Sequence, residues 1–400
     1  MADPLRVTVV GGSLGGLTTA LLLHDLGHDV HLFERSPSAL DSRGAGIVLH
    51  AVTERYLVGE RKVPLNSFAT RAAVLRYVDG NGATLAESPI GYRFTAWNTL
   101  YRALLGFFPR ERYHLGETMT GFDGASAEFE SGRVERGDLL VCADGLRSLA
   151  RERLLPDVHR RYAGYVGWRG VLLESQLSAA ARAALGDAIV YHLLPGSHIL
   201  TYPIPGPDGS GEPGRRLINF VWYRNVPEAD LPDLMLDAQG QGRELSVPPG
   251  LVQPRLAAGL RIAAGKLPPA IRELVREAPE PFIQEIVDVE VPRMAFGRVC
   301  LLGDAAFVAR PHAAAGTAKA AADAWALRDA LAAHDDVDAS LEAWESGQLE
   351  LGRNLTARVR GMGERSQFGA GWVAGDPNLR FGLFKPGDSE EEVQGFLESA

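Results

Sequence analysis

The chain has 400 residues, 46% of them hydrophobic and 23% charged, with a net charge of −9, the composition of a globular protein with room for two or three packed layers and two domains. Its basic residues are scattered, which excludes a nucleic-acid stripe or a polybasic membrane patch, and no run reaches the ~18 uninterrupted apolar residues that span a bilayer. Cys142 and Cys300 each sit in an apolar run and read as unpaired strand thiols in a reducing compartment, so small-molecule chemistry in the cytoplasm is the expectation.

The first elements are the clearest. "LRVTVV" is a β-branched run suited to a buried strand, Gly11 to Gly16 break it, "LTTALLLHDLG" has helical spacing, and "DVHLFER" supplies a second strand. No basic segment precedes "VTVV", so no signal peptide is expected. Together these pieces predict a βαβ unit with parallel strands and a right-handed crossover. In such a unit a glycine turn lets a pyrophosphate approach the helix N-terminus, where unpaired N–H groups and the dipole favour negative charge. The turn here reads Gly11-Gly12-Ser13-Leu14-Gly15-Gly16, with Ser13 in place of the usual second glycine. A serine with negative φ still permits the approach, and its hydroxyl can donate to a phosphate. Glu34 closes the second strand, where an acid accepts from both ribose hydroxyls. The unit leaves NAD and FAD both open.

Further along, "AVLRYVDGNGATLAES" predicts a hairpin around Asp-Gly-Asn-Gly, "TLYRALLGFF" a helix, and "LLVCADG" another buried parallel strand. From about 160 to 290 the runs lengthen and alternate ("AGYVGWRGVLLE", "AIVYHLLPGSHILTYPIPG", "RRLINFVWYRNV"), which predicts an antiparallel sheet forming a second domain. "GRVCLLGDAA" and the Ala-rich "GTAKAAADAWALRDALAAH" then return to strand and helix, so the first domain is discontinuous. The acidic end "GDSEEEVQGFLESA" reads as a surface tail.

Three separated motifs, "VVGGSLGGL" with "FER" and "RGAGI", "CADGLRSLAR", and "GDAAFVARPHAAAG", resemble those of the flavin-dependent aromatic hydroxylases built like p-hydroxybenzoate hydroxylase. "YAGYVGWRGVLLE", "LTYPIPG" and "RPHAAAGTAKAAADA" look like its hydroxypyridine branch. The resemblance implies an α/β protein: a discontinuous Rossmann-like FAD-binding domain (1–75, 96–158, 287–335), an inserted antiparallel β-sheet substrate domain (76–95, 159–286), and a C-terminal helical segment and tail (336–400). It implies FAD as cofactor and NAD(P)H as reductant. Oxygen would pass from a flavin C4a-hydroperoxide to an electron-rich aromatic or heteroaromatic ring. With no second glycine-rich unit, the nicotinamide donor would dock transiently in a surface groove.

Position by position, the resemblance gives Gly11, Ser13, Leu14, Gly15 and Gly16 the pyrophosphate, and Glu34 with Arg35 the ribose and adenine end. Arg43, Val48 and Leu49 lie where the backbone passes the flavin, Arg102 aims at the pyrophosphate, and Met119 meets the adenine. Asp144 belongs to the motif serving flavin and nicotinamide, and Asp304 faces the ribityl chain. Asp304 can act there as an acceptor-only group. Ala314, Ala315 and Gly316, nearly without side chains, let backbone amides reach the flavin pyrimidine edge at the start of a helix whose dipole favours negative charge.

Candidate catalytic residues are His312, Tyr223 and His192, with His198, Tyr202, Trp222 and Arg169 as further pocket candidates. The histidines show no spacing suited to a metal, so none is expected. No nucleic acid or membrane partner is expected, and a homodimer is left open. The alternatives are epoxidation, tailoring or inactivation of a larger natural product on the same scaffold, and a non-catalytic FAD-binding protein.

Overall fold

The computed structural model describes residues 3–40, 46–369, 372–376 and 381–383. Arg43 and the acidic tail lie outside them. The strands that matter to the site are, in chain order, β1 (Arg6–Val10), β2 (Asp29–Glu34), β3 (Gly46–Leu49), β4 (Val74–Val78), β5 (Thr84–Pro89), β6 (Arg93–Ala96), β7 (Tyr113–Leu115), β8 (Met119–Asp123) and β9 (Leu139–Cys142). There follow β10 (Arg161–Leu173), β11 (Ala188–Leu194), β12 (Ser197–Ile204), β13 (Leu217–Asn225), β14 (Ser246–Val247), β15 (Phe282–Glu290), β16 (Ala295–Phe296) and β17 (Val299–Leu301). The helices that matter to the site are α1 (Leu14–Asp25), α2 (Trp97–Leu105), α3 (Gly316–Ala333) and α4 (Val337–Gln367).

The β-branched runs at both ends of the chain form one sheet in the order β16-β17-β9-β1-β2-β7. β1 pairs in parallel with β2 (Val10↔Phe33) and with β9 (Val10↔Cys142), and β9 pairs in parallel with β17. Cys142 and Cys300 are buried and free on these neighbouring strands. Helix α1 is apolar almost all round because it is covered on all sides: its Leu17, Leu21, Leu22 and Leu23 share one core with the sheet and with Ala324, Trp325 and Leu327 of α3.

The second sheet runs β14-β15-β10-β13-β12-β11-β4-β5. Its central pairs are antiparallel, but the 74–89 hairpin joins through a parallel pairing of β4 with β11 (Tyr77↔Tyr191). Strand alternation divides its side chains. Val166, Trp168, Val190, Ile199, Phe220 and Trp222 pack with Leu185, Leu260, Ile271 and Leu274 of three covering helices. Tyr77, Tyr191, Leu200, Tyr202, Val221 and Tyr223 form the opposite face, with Leu355, Val359 and Met362 of α4 in the same core.

Candidate active site

The glycine turn is dictated by backbone crowding before any ligand is considered. Gly11 has φ +108°, and a Cβ there would lie 2.1 Å from the carbonyl oxygen of Ala143; one on Gly16 would lie 1.9 Å from that of Gly11. A Cβ on Gly12 would meet the Tyr113 hydroxyl at 2.2 Å. Ser13 has φ −74° and ψ −178°, and its side chain caps no N–H of α1. Glu34 is buried, its Oε2 accepting from Gly12 N at 2.8 Å and its Oε1 from Ser36 N at 2.9 Å. The acid therefore holds the turn together.

Two cavities meet there, sharing Ser13, Ala143, Gly145 and Leu146. One, of about 730 Å³, is lined by Gly11, Phe33, Glu34, Arg35, Met119 and Asp144. Asp144 Oδ1 is buried without a partner, and burial pushes this carboxyl up, opposed by bonds from Ser148 and Ala150. The other, of about 410 Å³, passes from Ser13, Leu14 and Gly15 to Asp304, Pro311, Ala314, Ala315 and Gly316. The crowded glycines, the free N–H groups of α1 and the orphaned Asp144 oxygen fit an extended dinucleotide with its phosphates at the junction.

Arg151 ties the walls of the junction together: its guanidinium donates to the carbonyls of Leu146 (2.6 Å) and Ala305 (3.0 Å). Asp323, paired with Lys319 at 2.6 Å, accepts from Gly303 N at 2.9 Å and fixes the turn carrying Asp304. Asp304 is exposed towards the cavity, yet the surrounding protein pushes its carboxyl up against the pull of Lys319 and Arg151. Ala314 adopts φ +50°, ψ 31°, a left-handed conformation that a residue with a Cβ holds only under constraint, and His50 Nε2 bonds to its carbonyl at 3.0 Å. Nothing lies within 4 Å of a Cβ built on Gly316.

The far wall is the aromatic face of the second sheet: Tyr191, His198, Leu200, Tyr202, Val221, Tyr223 and Arg169. His312 Nε2 bonds to the Tyr165 hydroxyl at 2.6 Å, while Nδ1 has no partner. Burial pushes His312 down and His198 down to about 3, and pushes Tyr223 up, so these groups are neutral near pH 7. Trp372 packs on His198 with ring centroids 4.4 Å apart and planes tilted by 39°, and Phe381 closes another part of the wall.

Most of the expected residues line this double cavity; some do not. Val48 lines it but Leu49, the next residue on the strand, packs into the other core. Arg102 is exposed on α2 and lines neither cavity, whereas Trp97 at the start of that helix does. His192 and Trp222 lie on the sheet's opposite face: His192 is one residue out of phase with Tyr191, and its Nδ1 bonds to the Val78 carbonyl at 3.0 Å. The expectations for His192 and Trp222 as pocket residues are corrected by this alternation. Gly12, Arg151, Tyr165, Tyr191 and Trp372 were not expected. Tyr191 could have been found from strand parity with Leu200 and Tyr202; the others depend on contacts between distant segments.

The fold and site define a class: the chain belongs to the flavin-dependent aromatic hydroxylases and is an FAD-dependent monooxygenase. It is 38% identical to 2,6-dihydroxypyridine 3-monooxygenase of Paenarthrobacter nicotinovorans over 95% of this chain and 96% of that protein. It is 28% identical to 3-amino-4-hydroxybenzoate 2-monooxygenase of Streptomyces cremeus, covering 90% and 87% of the two chains. The solved structure of 2,6-dihydroxypyridine-3-hydroxylase from Arthrobacter nicotinovorans superposes with a TM-score of 0.91 at 37% identity, covering 97% of this chain and 99% of that one. An FAD binding domain-like family model matches residues 162–288, the β10 to β15 part of the second sheet. Among the described residues no helix is long and apolar enough to cross a membrane.

Proposed function

We propose that this protein hydroxylates a small, electron-rich hydroxylated aromatic or heteroaromatic ring, a hydroxypyridine being the leading class, with O2 and NAD(P)H. FAD, when bound, supplies the electron transfer and oxygen activation. The observation that carries this reading is the continuity of the cavity from the glycine turn to the aromatic wall: the ring end of a dinucleotide laid along it faces Tyr191, Tyr202, Tyr223 and His312. A volume of about 410 Å³ must hold the flavin ring as well as the substrate, which favours a single-ring acceptor over a polycyclic one.

In this reading Gly11, Ser13, Leu14, Gly15 and Gly16 take the pyrophosphate; Glu34, Arg35 and Met119 the adenosine; and Asp304 the ribityl chain. Val48, Ala314, Ala315 and Gly316 approach the flavin ring. Asp144 serves the junction, supported by its unpartnered oxygen. His312 is the group that contacts the substrate, because its free Nδ1 belongs to a ring lining the cavity and oriented by Tyr165. Tyr223 packs against the bound ring. The proposed division is an FAD-binding unit of 1–75, 96–158 and 287–335 and a substrate unit of 76–95 and 159–286. A cytoplasmic location is supported by two buried free thiols.

The test is oxidation of NADH and NADPH by the FAD-loaded protein against hydroxypyridines, phenols and polycyclic aromatics, with product masses. A hydroxylated single-ring product, and donor oxidation faster with its precursor than without, is expected. No oxygen gained by any ring in the panel overturns the reading.

A further inference from the structure

The carbonyl of Ala314 stands where an α-helix would use it. Helix α3 begins at Gly316, and Lys319 N already donates to the Ala315 carbonyl at 2.8 Å. One residue earlier, the next bond of the same ladder would join Ala318 N to the Ala314 carbonyl. That bond is not made: Ala314 has φ +50° and ψ 31°, and its carbonyl accepts from His50 Nε2 at 3.0 Å instead. In consequence, among the described residues, the N–H groups of Ala315, Gly316, Thr317 and Ala318 donate to no carbonyl. They form a row of free donors at the positive end of an 18-residue helix, and Ala315, Gly316 and Thr317 line the smaller cavity.

His50 reaches this carbonyl from the end of β3. It precedes the short helix Ala51–Glu54, whose N–H groups its side chain does not cap, and it lines neither cavity. Burial pushes its ring down to about 4, the bond to Ala314 opposing and Arg358 adding to the fall, so it is neutral near pH 7 and carries one N–H. A carbonyl only accepts, which puts that proton on Nε2. A left-handed alanine persists only where its surroundings over-determine it, and here a bond between residues 264 positions apart does so. The preceding carbonyl, of Ala313, is held separately by Gly382 N at 2.9 Å.

We infer that His50 is a positioning residue for the flavin: by holding the Ala314 carbonyl away from Ala318 it keeps the donor row of α3 open to the flavin ring, which gains negative charge on reduction. The role rests on the proposed approach of residues 314–316 to that ring. With an apolar side chain at position 50, Ala314 falls back to the right-handed region and its carbonyl takes the Ala318 N–H. One donor is lost, and the reduced ring, which carries the charge, loses more than the oxidised one.

The two-electron potential of bound FAD and the dissociation constant for sulfite are measured on FAD-loaded wild type, His50→Gln and His50→Leu. Sulfite is the probe because its sulfur lone pair forms a bond to the oxidised ring, which keeps the added negative charge. His50→Leu binds sulfite about tenfold more weakly or worse, and its reduced FAD loses about tenfold more affinity than its oxidised FAD, a fall of about 30 mV in potential. His50→Gln, whose amide still donates, stays within about threefold of wild type on both readouts. A loaded His50→Leu with wild-type potential and sulfite affinity overturns the inference, and so does an equal loss for the two redox forms, which marks a role confined to stability. Nitrogen NMR of the wild-type histidine rings, assigned against His50→Gln, keeps the test open if His50→Leu fails to load FAD: a proton on Nε2 is expected, and one on Nδ1 overturns the inference. None of these readouts needs a ring substrate. Hydroxylation of no ring therefore sinks the functional reading alone, and an unmoved potential in an active hydroxylase sinks the role of His50 alone.

Discussion

Replacing Glu34 tests how the cofactor turn is held. A ribose-binding acid removed from a surface groove would weaken FAD and nothing else, but here the carboxylate also accepts from Gly12 N at 2.8 Å and Ser36 N at 2.9 Å. Hydrogen bonds to charged groups contribute about 1.5–3 kcal/mol each, and a buried donor left alone pays its desolvation. Gly12 N is buried and bears the full loss; Ser36 is half-buried and recovers part of it from water. Glu34→Ala therefore costs about 2–4 kcal/mol in the apoprotein itself. Glu34→Gln keeps one acceptor and turns an N–H towards the other donor, so it falls between. FAD then meets a loosened turn and, on the proposed placement, lacks the ribose contact as well, and its dissociation constant rises about ten- to hundredfold. Urea unfolding of the apoprotein and FAD titration by fluorescence quenching measure the two parts. If Glu34→Ala apoprotein unfolds at the wild-type midpoint while FAD affinity falls, the turn does not depend on this carboxylate and the reasoning fails.

Gly316→Ala is expected to leave apoprotein stability almost unchanged, because nothing lies within 4 Å of the new methyl, yet to lower FAD affinity if the flavin edge occupies that space; unchanged FAD affinity counts against the placement. Gly16→Ala, whose Cβ would lie 1.9 Å from the backbone oxygen of Gly11, is expected to lose both FAD binding and native stability, read by FAD content and melting. His198 and His50 are pushed down to about 3 and about 4, so between those values and about 6.5 the unfolded chain binds protons that the folded one refuses. Stability should thus fall as pH drops from 7 to 5, by up to about 1.4 kcal/mol per pH unit for each such histidine. Asp304, facing the cavity, and buried Asp323, both pushed up, act in the opposite sense, so the decisive comparison is wild type with His198→Phe, whose pH dependence should be shallower. Tyr165→Phe strands His312 Nε2 and should cost about 1–3 kcal/mol, with KM for the ring substrate rising if His312 contacts it.

The parts of this molecule legible in the sequence are those whose cause is local. The 6–34 unit was readable because strand, glycine turn and helix each follow from the residues present; the small-residue run stood out for its lack of side chains, and its Ala314, Ala315 and Gly316 line the cavity. The second sheet was readable as antiparallel strands, but the parallel docking of its hairpin on β11 was not, since that pairing is fixed by contacts between residues more than a hundred positions apart. Individual site residues were legible only where a motif marked them. Arg151 sits inside a quoted motif, but its role of joining the 146 and 305 carbonyls requires the fold to bring those turns together.

His192 shows the limit most sharply, because the strand carrying it was correctly placed and the residue was not. Strand alternation admits two phases, and composition favoured the one putting a histidine in the pocket. The phase is decided by cross-strand register: Tyr191 is opposite Leu200 and Tyr77, and Leu200 is opposite Val221, so these side chains share a face and His192 must take the other. There its Nδ1 meets the Val78 carbonyl at the hairpin junction. The same register brings His198 opposite Tyr223 and Arg169 opposite Val221, assembling the pocket wall from four strands. A one-residue slip of β12 would exchange His198 for Ile199, Leu200 for Thr201 and Tyr202 for Pro203, removing both rings that this strand gives to the wall. The chemistry available to the cavity is therefore a property of register, set by the apolar face that packs beneath the covering helices, and the substrate wall and the second core are specified together.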